Sequence, residues 1–499
     1  MDIERIIRPG AKAYIVGIKG TGTSALAELM VNSGVKVSGS DTSEVFYTDA
    51  ILKELGIPYY ESFDTAHISG DFDIVIHSAA YNAESNVELA EAARCGIPVV
   101  KYPDALGSWS AVFDSAGIAG VHGKTTTTAI AGVLARAAGL PAQILAGSAV
   151  ADFNGRSTLS LGNKYFIAET CEYRKHFLAF HPRHIILSAV ESDHQDFFPS
   201  YESIRSAFLD YCRLLSSGGE LIYCADDPGA AEIAQTIAKE KRDLTLIPYG
   251  FTTAGDYQIS SYKVENERAV FTIAGFGELA ICVPGRHQAL NVTAALALIS
   301  VLLKKEFGAS MDAKKGGGEN TGWTAERREA IRKALENFRG SKRRSELIGE
   351  TGGIIFMDDY GHHPTAIKTT LEGLKSFYPS RRLVVSFMSH TYTRTAALLD
   401  DFAAAFDKAD ILFLHKIYAS AREKYDGTVT GQTLCEKVKS LRKTAGTTHY
   451  TEDPLDALPL LKEILKPGDL FITLGAGNNW PLATTLFDYY KTISSGGIS

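Results

Sequence analysis

At 499 residues, with 45% hydrophobic and 22% charged residues, the chain is too long for one core and has the composition of an ordinary globular enzyme, so roughly two to four domains are expected. A formal net charge of −7 argues against a general nucleic-acid binder, which needs a basic surface. The opening MDIERIIRPG has no long apolar core and no run of 18 apolar residues occurs, so neither a secretory signal nor a membrane span is expected. Cys95, Cys171, Cys212, Cys224, Cys282 and Cys435 are scattered without C-x-x-C pairs, which fits reduced thiols in a cytoplasmic enzyme rather than disulfides or zinc.

In chain order, AYIVGI, TSALAELMVNSG, VKVSGSD, FDIVIHSAA and IPVVKY alternate strand and helix and predict a small parallel α/β unit. A second α/β block begins near residue 117 and runs through YFIAETCEY, HIILSAVES and GGELIYCADD. Residues 250–283 alternate like antiparallel strands, and PGRHQALNVTAALALISVLL resumes a helix. Residues 312–328 are polar and glycine-rich and predict a flexible insertion before the helix EAIRKALENF. A third block of strands and helices starts near 345 with GGIIFMDDYGHHP, RRLVVSFMSH, DILFLHKIYA and DLFITLGAGN. The reading is α/β, three domains in series, at 1–108, 109–343 and 344–499.

Two glycine loops carry the chemistry. GIAGVHGKTTTT ends a buried strand; Gly120 and Gly123 admit an anion to the backbone, Lys124 supplies charge, and Thr125 offers a hydroxyl to a phosphate-bound Mg²⁺. The helix that follows points its N-terminus at the same anion, with Ile130, Val133, Leu134 and Ala137 on one face and Gly139 as a stop. Glycine is missing at 118, where the usual phosphate loop has it. The other loop, IVGIKGTGTS, sets Gly17, Gly20 and Gly22 between strand and helix, with Asp41 after the next strand. Alone it suggests a dinucleotide-dependent oxidoreductase, although G-x-x-G-x-G is not the usual spacing. Two cradles on two domains favour a transferase or ligase with two phosphorylated ligands.

With both loops in view the chain resembles the Mur ligases of peptidoglycan synthesis over nearly its whole length. The resemblance rests on G-I-K-G-T-G-T-S (17–24), S-G-S-D (38–41), A-G-V-H-G-K-T-T-T-T (119–128), A-E-x-x-E (168–172) and E-S-D-H (191–194). It continues through P-G-R-H-Q-A-L-N (284–291), D-D-Y-G-H-H-P (358–364), H-T-Y-T-R-T (390–395) and G-A-G-N (475–478). It implies a Rossmann-like UDP-sugar domain, a central P-loop ATPase-like domain and a Rossmann-like C-terminal domain. Within the family the likeness is to the branch that joins L-alanine to UDP-N-acetylmuramic acid using ATP and Mg²⁺, with no nucleic-acid or membrane partner, as a monomer or weak homodimer.

Carried over residue by residue, the resemblance implies a UDP-sugar cradle of Gly17, Gly20, Thr21, Gly22, Thr23, Ser40, Asp41 and Ser78. ATP is expected at Gly120, Val121, His122, Gly123, Lys124, Thr125 and Thr126, with His287 and Asn291 at the adenine, Arg344 reaching the phosphates, Asp359 at the ribose and Tyr360 nearby. The metal ligands would be Thr125, Glu172 and His194. Lys124, His362, His390 and Arg394 would act at the reacting centre. The bland alternatives are an ion pair of Glu172 with Arg174, a turn-capping His194, and His287 and Asn291 as polar residues of a helix. Thr391 stands where relatives often carry arginine, and CEYRKHF and GNNWPLA depart from the family pattern. The runner-up is the relative that attaches a tripeptide to the same UDP-sugar in cell-wall recycling; a non-catalytic nucleotide-binding regulator ranks lower.

The implied reaction activates a carboxylate as an acyl phosphate, which an amine then attacks. Positioning and charge neutralisation dominate the first step, and a base such as His362 or His390 serves the second.

Overall fold

The computed structural model describes residues 8–307, 322–419, 423, 425, 427–442 and 446–495. The first sheet is fully parallel: β1 (Lys12–Val16), β2 (Lys36–Ser40), β3 (Tyr59–Tyr60), β4 (Ile74–His77) and β5 (Val99–Lys101) lie in the order β3-β2-β1-β4-β5. Strand order reverses between β1 and β4, so the crevice beyond their carboxyl ends is where such a sheet binds ligands. Gly17 and the loop to helix Thr21–Asn32 sit there.

The second sheet holds β6 (Asp114–Ala119), β7 (Ala142–Val150), β8 (Arg156–Ser160), β9 (Tyr165–Glu169), β10 (His184–Leu187), β11 (Glu220–Cys224) and β12 (Thr245–Tyr249), ordered β12-β11-β10-β6-β9-β7-β8 with β8 antiparallel to β7. Apolar runs such as HIIL and YFIAE are what a sheet covered on both faces requires. Helix Lys124–Ala138 was expected to bury one face and is instead buried almost all round, because the sheet, helix His287–Phe307 and helix Ala325–Glu336 enclose it. The predicted antiparallel segment is β13 (Ile259–Glu265), β14 (Arg268–Ile273) and β15 (Gly277–Ile281).

Of the expected flexible insertion, residues 312–321 lie outside the described residues, and 322–328 are a correction. Trp323 stands edge-on to Phe276 and donates to Ser300 Oγ at 3.3 Å, and the Thr324 hydroxyl caps helix Ala325–Glu336. The Thr-x-x-Arg start of that helix is masked in the sequence by the composition of the glycine run before it.

The third sheet of this kind contains β16 (Glu346–Thr351), β17 (Ile354–Asp359), β18 (Arg382–Phe387), β19 (Ile411–Leu414), β20 (Thr447–Tyr450) and β21 (Asp469–Leu474), ordered β16-β17-β21-β18-β19-β20, with only the edge strand β16 antiparallel. Separate apolar cores cover its two faces. The first unit is docked on the second where Gln143 Nε2 donates to Ser33 Oγ at 2.6 Å and Arg156 pairs with Glu28 and, at 2.6 Å, with Glu54.

Candidate active site

The first glycine loop is built by its own backbone and neighbours. Gly17 has φ +80°, and a Cβ there would lie 2.8 Å from both Ser78 Cβ and the Tyr81 ring; a Cβ at Gly22 would lie 2.8 Å from the Tyr102 ring. Helix Thr21–Asn32 has no side-chain cap, so its first-turn N–H groups have no helical partners and point to the crevice. Thr21 is exposed there. Three of the expected ligand-binding residues have partners inside the protein. Ser40 is fully buried and donates to Glu88; Thr23 Oγ1 donates to the Gly17 carbonyl at 2.6 Å; Asp41 accepts from the N–H groups of Lys19 at 2.7 Å and Thr42 at 2.8 Å. Short polar side chains close to a tight loop satisfy its backbone, as Thr23 and Asp41 do here, while Ser40 is tied to the Glu88 side chain.

The second loop leaves β6 at Ala119. Gly120 (φ +133°) packs where a Cβ would strike Ser188, and Gly123 (φ +80°) starts the helix in a left-handed conformation that a side chain would resist. Val121 N–H donates to the Ala189 carbonyl at 2.9 Å, which holds the loop against β10. Lys124 Nζ donates to the Gly120 carbonyl at 2.6 Å and to Glu172 at 3.0 Å. Burial alone would raise the Glu172 carboxyl, but the Lys124 ammonium, the His194 imidazole and a backbone N–H together outweigh it and hold the group below its usual range. Glu172 pairs with Lys124 and not with Arg174, and His194 Nε2 stands 3.4 Å from the same carboxylate. Thr125 and Thr126 are buried in the first turn.

A cation is a sensible occupant here. Glu169 Oε2 and His194 Nδ1 are buried without hydrogen-bond partners, close to an acid whose partner Lys124 would be drawn to an incoming phosphate. His194 itself is held at φ +53°, a left-handed strain that the surrounding loop imposes.

His287 and Asn291 are both in helix His287–Phe307, one turn apart. Asn291 Oδ1 accepts from Thr127 Oγ1 at 3.2 Å and lies beside Gly123, so this residue touches the nucleotide loop directly. Burial, with the charge of His122, lowers the His287 imidazole to about 4, which leaves it neutral.

The C-terminal unit presents its residues to this loop from across the junction. Arg394 donates through Nε (2.9 Å) and Nη2 (2.7 Å) to one oxygen of Asp193 of the central unit, both side chains being buried. Its Nη1 lies 3.2 Å from His390 Nδ1, and the His362 and His390 rings are 5.8 Å apart. Burial, then the Arg394 charge, pushes the His362 imidazole well below its ordinary value, so it is a neutral proton acceptor. Tyr360 is covered by the Arg344 guanidinium at 5.0 Å. Asp359 is again a loop organiser, accepting from Ser345 N–H and Gly361 N–H, each at 2.6 Å. Thr391 is buried with φ +68°, its N–H on the Tyr418 carbonyl. Asp193, Glu191, His363 and Glu169 were given no role from sequence. The E-S-D-H and G-H-H-P motifs contain the first three, but their partners are 69 to 201 residues away, beyond any spacing rule.

A phosphate-type loop with an acid-paired lysine, fed by a second glycine cradle and closed by basic and imidazole groups from a third α/β unit, defines an ATP-dependent ligase. The chain belongs to the Mur ligase family: its residues 12–114 match the Mur ligase family catalytic domain, 118–299 the Mur ligase middle domain and 343–477 the Mur ligase glutamate ligase domain. It is 50% identical over 483 residues to a UDP-N-acetylmuramate–L-alanine ligase of Treponema pallidum (strain Nichols), covering 97% of each chain. A protein of the same name from Borreliella burgdorferi is 39% identical over 94% of this chain and 97% of its own. The fold is also that of a UDP-N-acetylmuramate-alanine ligase from Thermotoga maritima, with a TM-score of 0.71 at 23% identity, covering 97% of this chain and 99% of that one.

Proposed function

We propose that this chain joins L-alanine to the lactyl carboxylate of UDP-N-acetylmuramic acid, with cleavage of ATP to ADP and phosphate. The observation that carries the reading is the 50% identity, end to end, to a ligase of that name, together with a site that holds both glycine cradles and the C-terminal cluster. The tripeptide-attaching relative is not favoured, since the curated relatives of high coverage are alanine ligases.

The functional units are 1–108 for the UDP-sugar, 109–343 for ATP and 344–499 for the amine. The first-turn N–H groups after Gly20 hold the UDP diphosphate. Lys124 moves from Glu172 to the transferred phosphate, and Glu172, His194 and Thr125 hold Mg²⁺. The metal, when bound, supplies charge neutralisation at the phosphate oxygens. The lactyl carboxylate attacks the γ-phosphorus, giving an acyl phosphate and ADP; the alanine nitrogen then attacks the acyl carbon and phosphate leaves. His362 or His390, side by side at the junction, takes the proton lost by the amine. Arg394, fixed by Asp193, faces the anionic groups of the substrates and ties the third unit to the second, which keeps water from the acyl phosphate. Nucleotide-linked substrates place the step in the cytoplasm.

Phosphate release from ATP across a panel of UDP-sugars and amino acids tests the assignment. UDP-N-acetylmuramic acid with L-alanine should give the highest kcat/KM; a preference for a tripeptide, or for another UDP-sugar, would overturn it.

A further inference from the structure

The junction of the central and C-terminal units contains a second cluster, separate from Glu172 and His194. His122 comes from the nucleotide loop, Glu191 from the segment after β10, and His363 from the N-cap of helix Pro364–Phe377. Glu191 Oε1 contacts His122 Nε2 and lies 3.5 Å from His363 Nδ1, while Oε2 accepts from Thr365 Oγ1 at 3.1 Å. One donor atom from each of the three falls within 4.8 Å of the others, and the two imidazole rings are 5.2 Å apart.

We propose that His122, Glu191 and His363 form a site for a divalent transition-metal ion of the zinc type, which pins the nucleotide loop to the C-terminal unit. Two imidazoles and a carboxylate are a donor set for borderline ions and a poor one for Mg²⁺, which prefers oxygen. Ligands about 2.0–2.2 Å from a tetrahedral ion stand roughly 3.3–3.5 Å from one another, close to the separation of Glu191 and His363. His363 is 6% exposed and turns Nδ1 to Glu191, whereas His122 and Glu191 are partly open to solvent and give the ion an entry route. The lone pair that His363 would give the ion now receives only a long hydrogen bond, 3.3 Å from Thr365 N–H. The fourth position is left to water or a phosphate oxygen.

The test uses the full, nucleotide-free chain after chelator treatment, with Zn²⁺ titrated against a chromophoric chelator and Co²⁺ as a spectroscopic probe. One Zn²⁺ per chain, four-coordinate Co²⁺ absorption and a Zn²⁺-dependent rise in Tm are expected. Glu191→Gln and His363→Asn, the latter retaining a cap acceptor for Thr365, should each weaken Zn²⁺ binding by about 10- to 100-fold while melting as the parent does without metal. His194→Ala should leave the affinity unchanged. No stoichiometric Zn²⁺ in the parent, no loss in Glu191→Gln and His363→Asn, or loss in His194→Ala would overturn the proposal, and none of these outcomes bears on whether L-alanine is ligated.

Discussion

The two glycine loops begin alike, each a buried strand running through glycines into a helix N-terminus, yet they treat their lysines in opposite ways. Lys19 in the first loop has no exposed side chain; its ammonium is spent on Asp49 at 3.2 Å, Glu61 at 2.8 Å and the carbonyls of Thr42 and Glu44. Lys124 in the second is 14% exposed and has one acidic partner, Glu172. A cradle that only holds a diphosphate works with fixed N–H dipoles, whereas a loop that must follow a phosphate through transfer needs a charge able to move. The comparison separates binding from chemistry.

The sharpest way to break it is Lys124→Ala. Ligation should fall by a factor of about 10² to 10³ or more, the usual loss for one charged transition-state contact of about 2.7–4 kcal/mol. Steady-state amide formation by the purified variant measures this, and parent-like turnover would return Lys124 to a structural role. Next comes Gly22→Ala, whose Cβ meets the Tyr102 ring. Overpacking of about 1–3 kcal/mol should appear as a raised KM for the UDP-sugar with the KM for ATP unchanged. A rise in both would mean that the loops are coupled.

Lys19→Met sharpens the contrast at a smaller scale. Asp49 keeps its bonds from Tyr59 and Phe46, so the loss should be about 1–2 kcal/mol, seen in Tm and UDP-sugar affinity rather than kcat. The same contacts fix a pH dependence. Burial lowers Lys19, but Glu61 and Asp49 outweigh it and raise the group above 10.5, so its contribution is complete below that value and lost as pH rises through the raised one. Burial raises Asp49, but Tyr59, Phe46 N–H and Lys19 bring it below 3.8, so its contribution holds above 3.8 and is lost on acidification through the lowered value. The stability difference between parent and Lys19→Met should therefore be flat from about pH 5 to 9; a titration step in that difference inside the window would contradict the account of Lys19.

The smallest effect is an expected absence of one. No lysine occurs between Lys175 and Lys239, and Arg205, paired with Glu232 at 2.7 Å, stays protonated and cannot form a carbamate. Turnover should be indifferent to dissolved CO₂ at fixed pH. A reversible fall on degassing, restored by bicarbonate, would place a carbamylated lysine in the metal site.

Much of this was legible in the sequence because both loops are local. Strand, glycine and helix signals within twenty residues located Gly17 to Gly22 and Gly120 to Thr126, and the helix carrying His287 and Asn291 was correctly periodic. What sequence could not supply were partners set by tertiary packing. Ser40, Asp41 and Asp359 look like ligand residues in a motif, and only the folded loop reveals that their oxygens are already bonded to backbone and buried side chains. Asp193 gained its meaning from Arg394, and Glu191 from His122 and His363, each across a domain junction. Trp323 was hidden by the glycine-rich run next to it.

The division of labour is tested most directly by titrating UDP-N-acetylmuramic acid into nucleotide-free Lys124→Ala and parent protein by calorimetry. Equal Kd values, from a variant that makes no amide, are the predicted result. A loss of tenfold or more in UDP-sugar affinity, about 1.4 kcal/mol, would mean that Lys124 helps to hold the sugar nucleotide and that the two loops form one site.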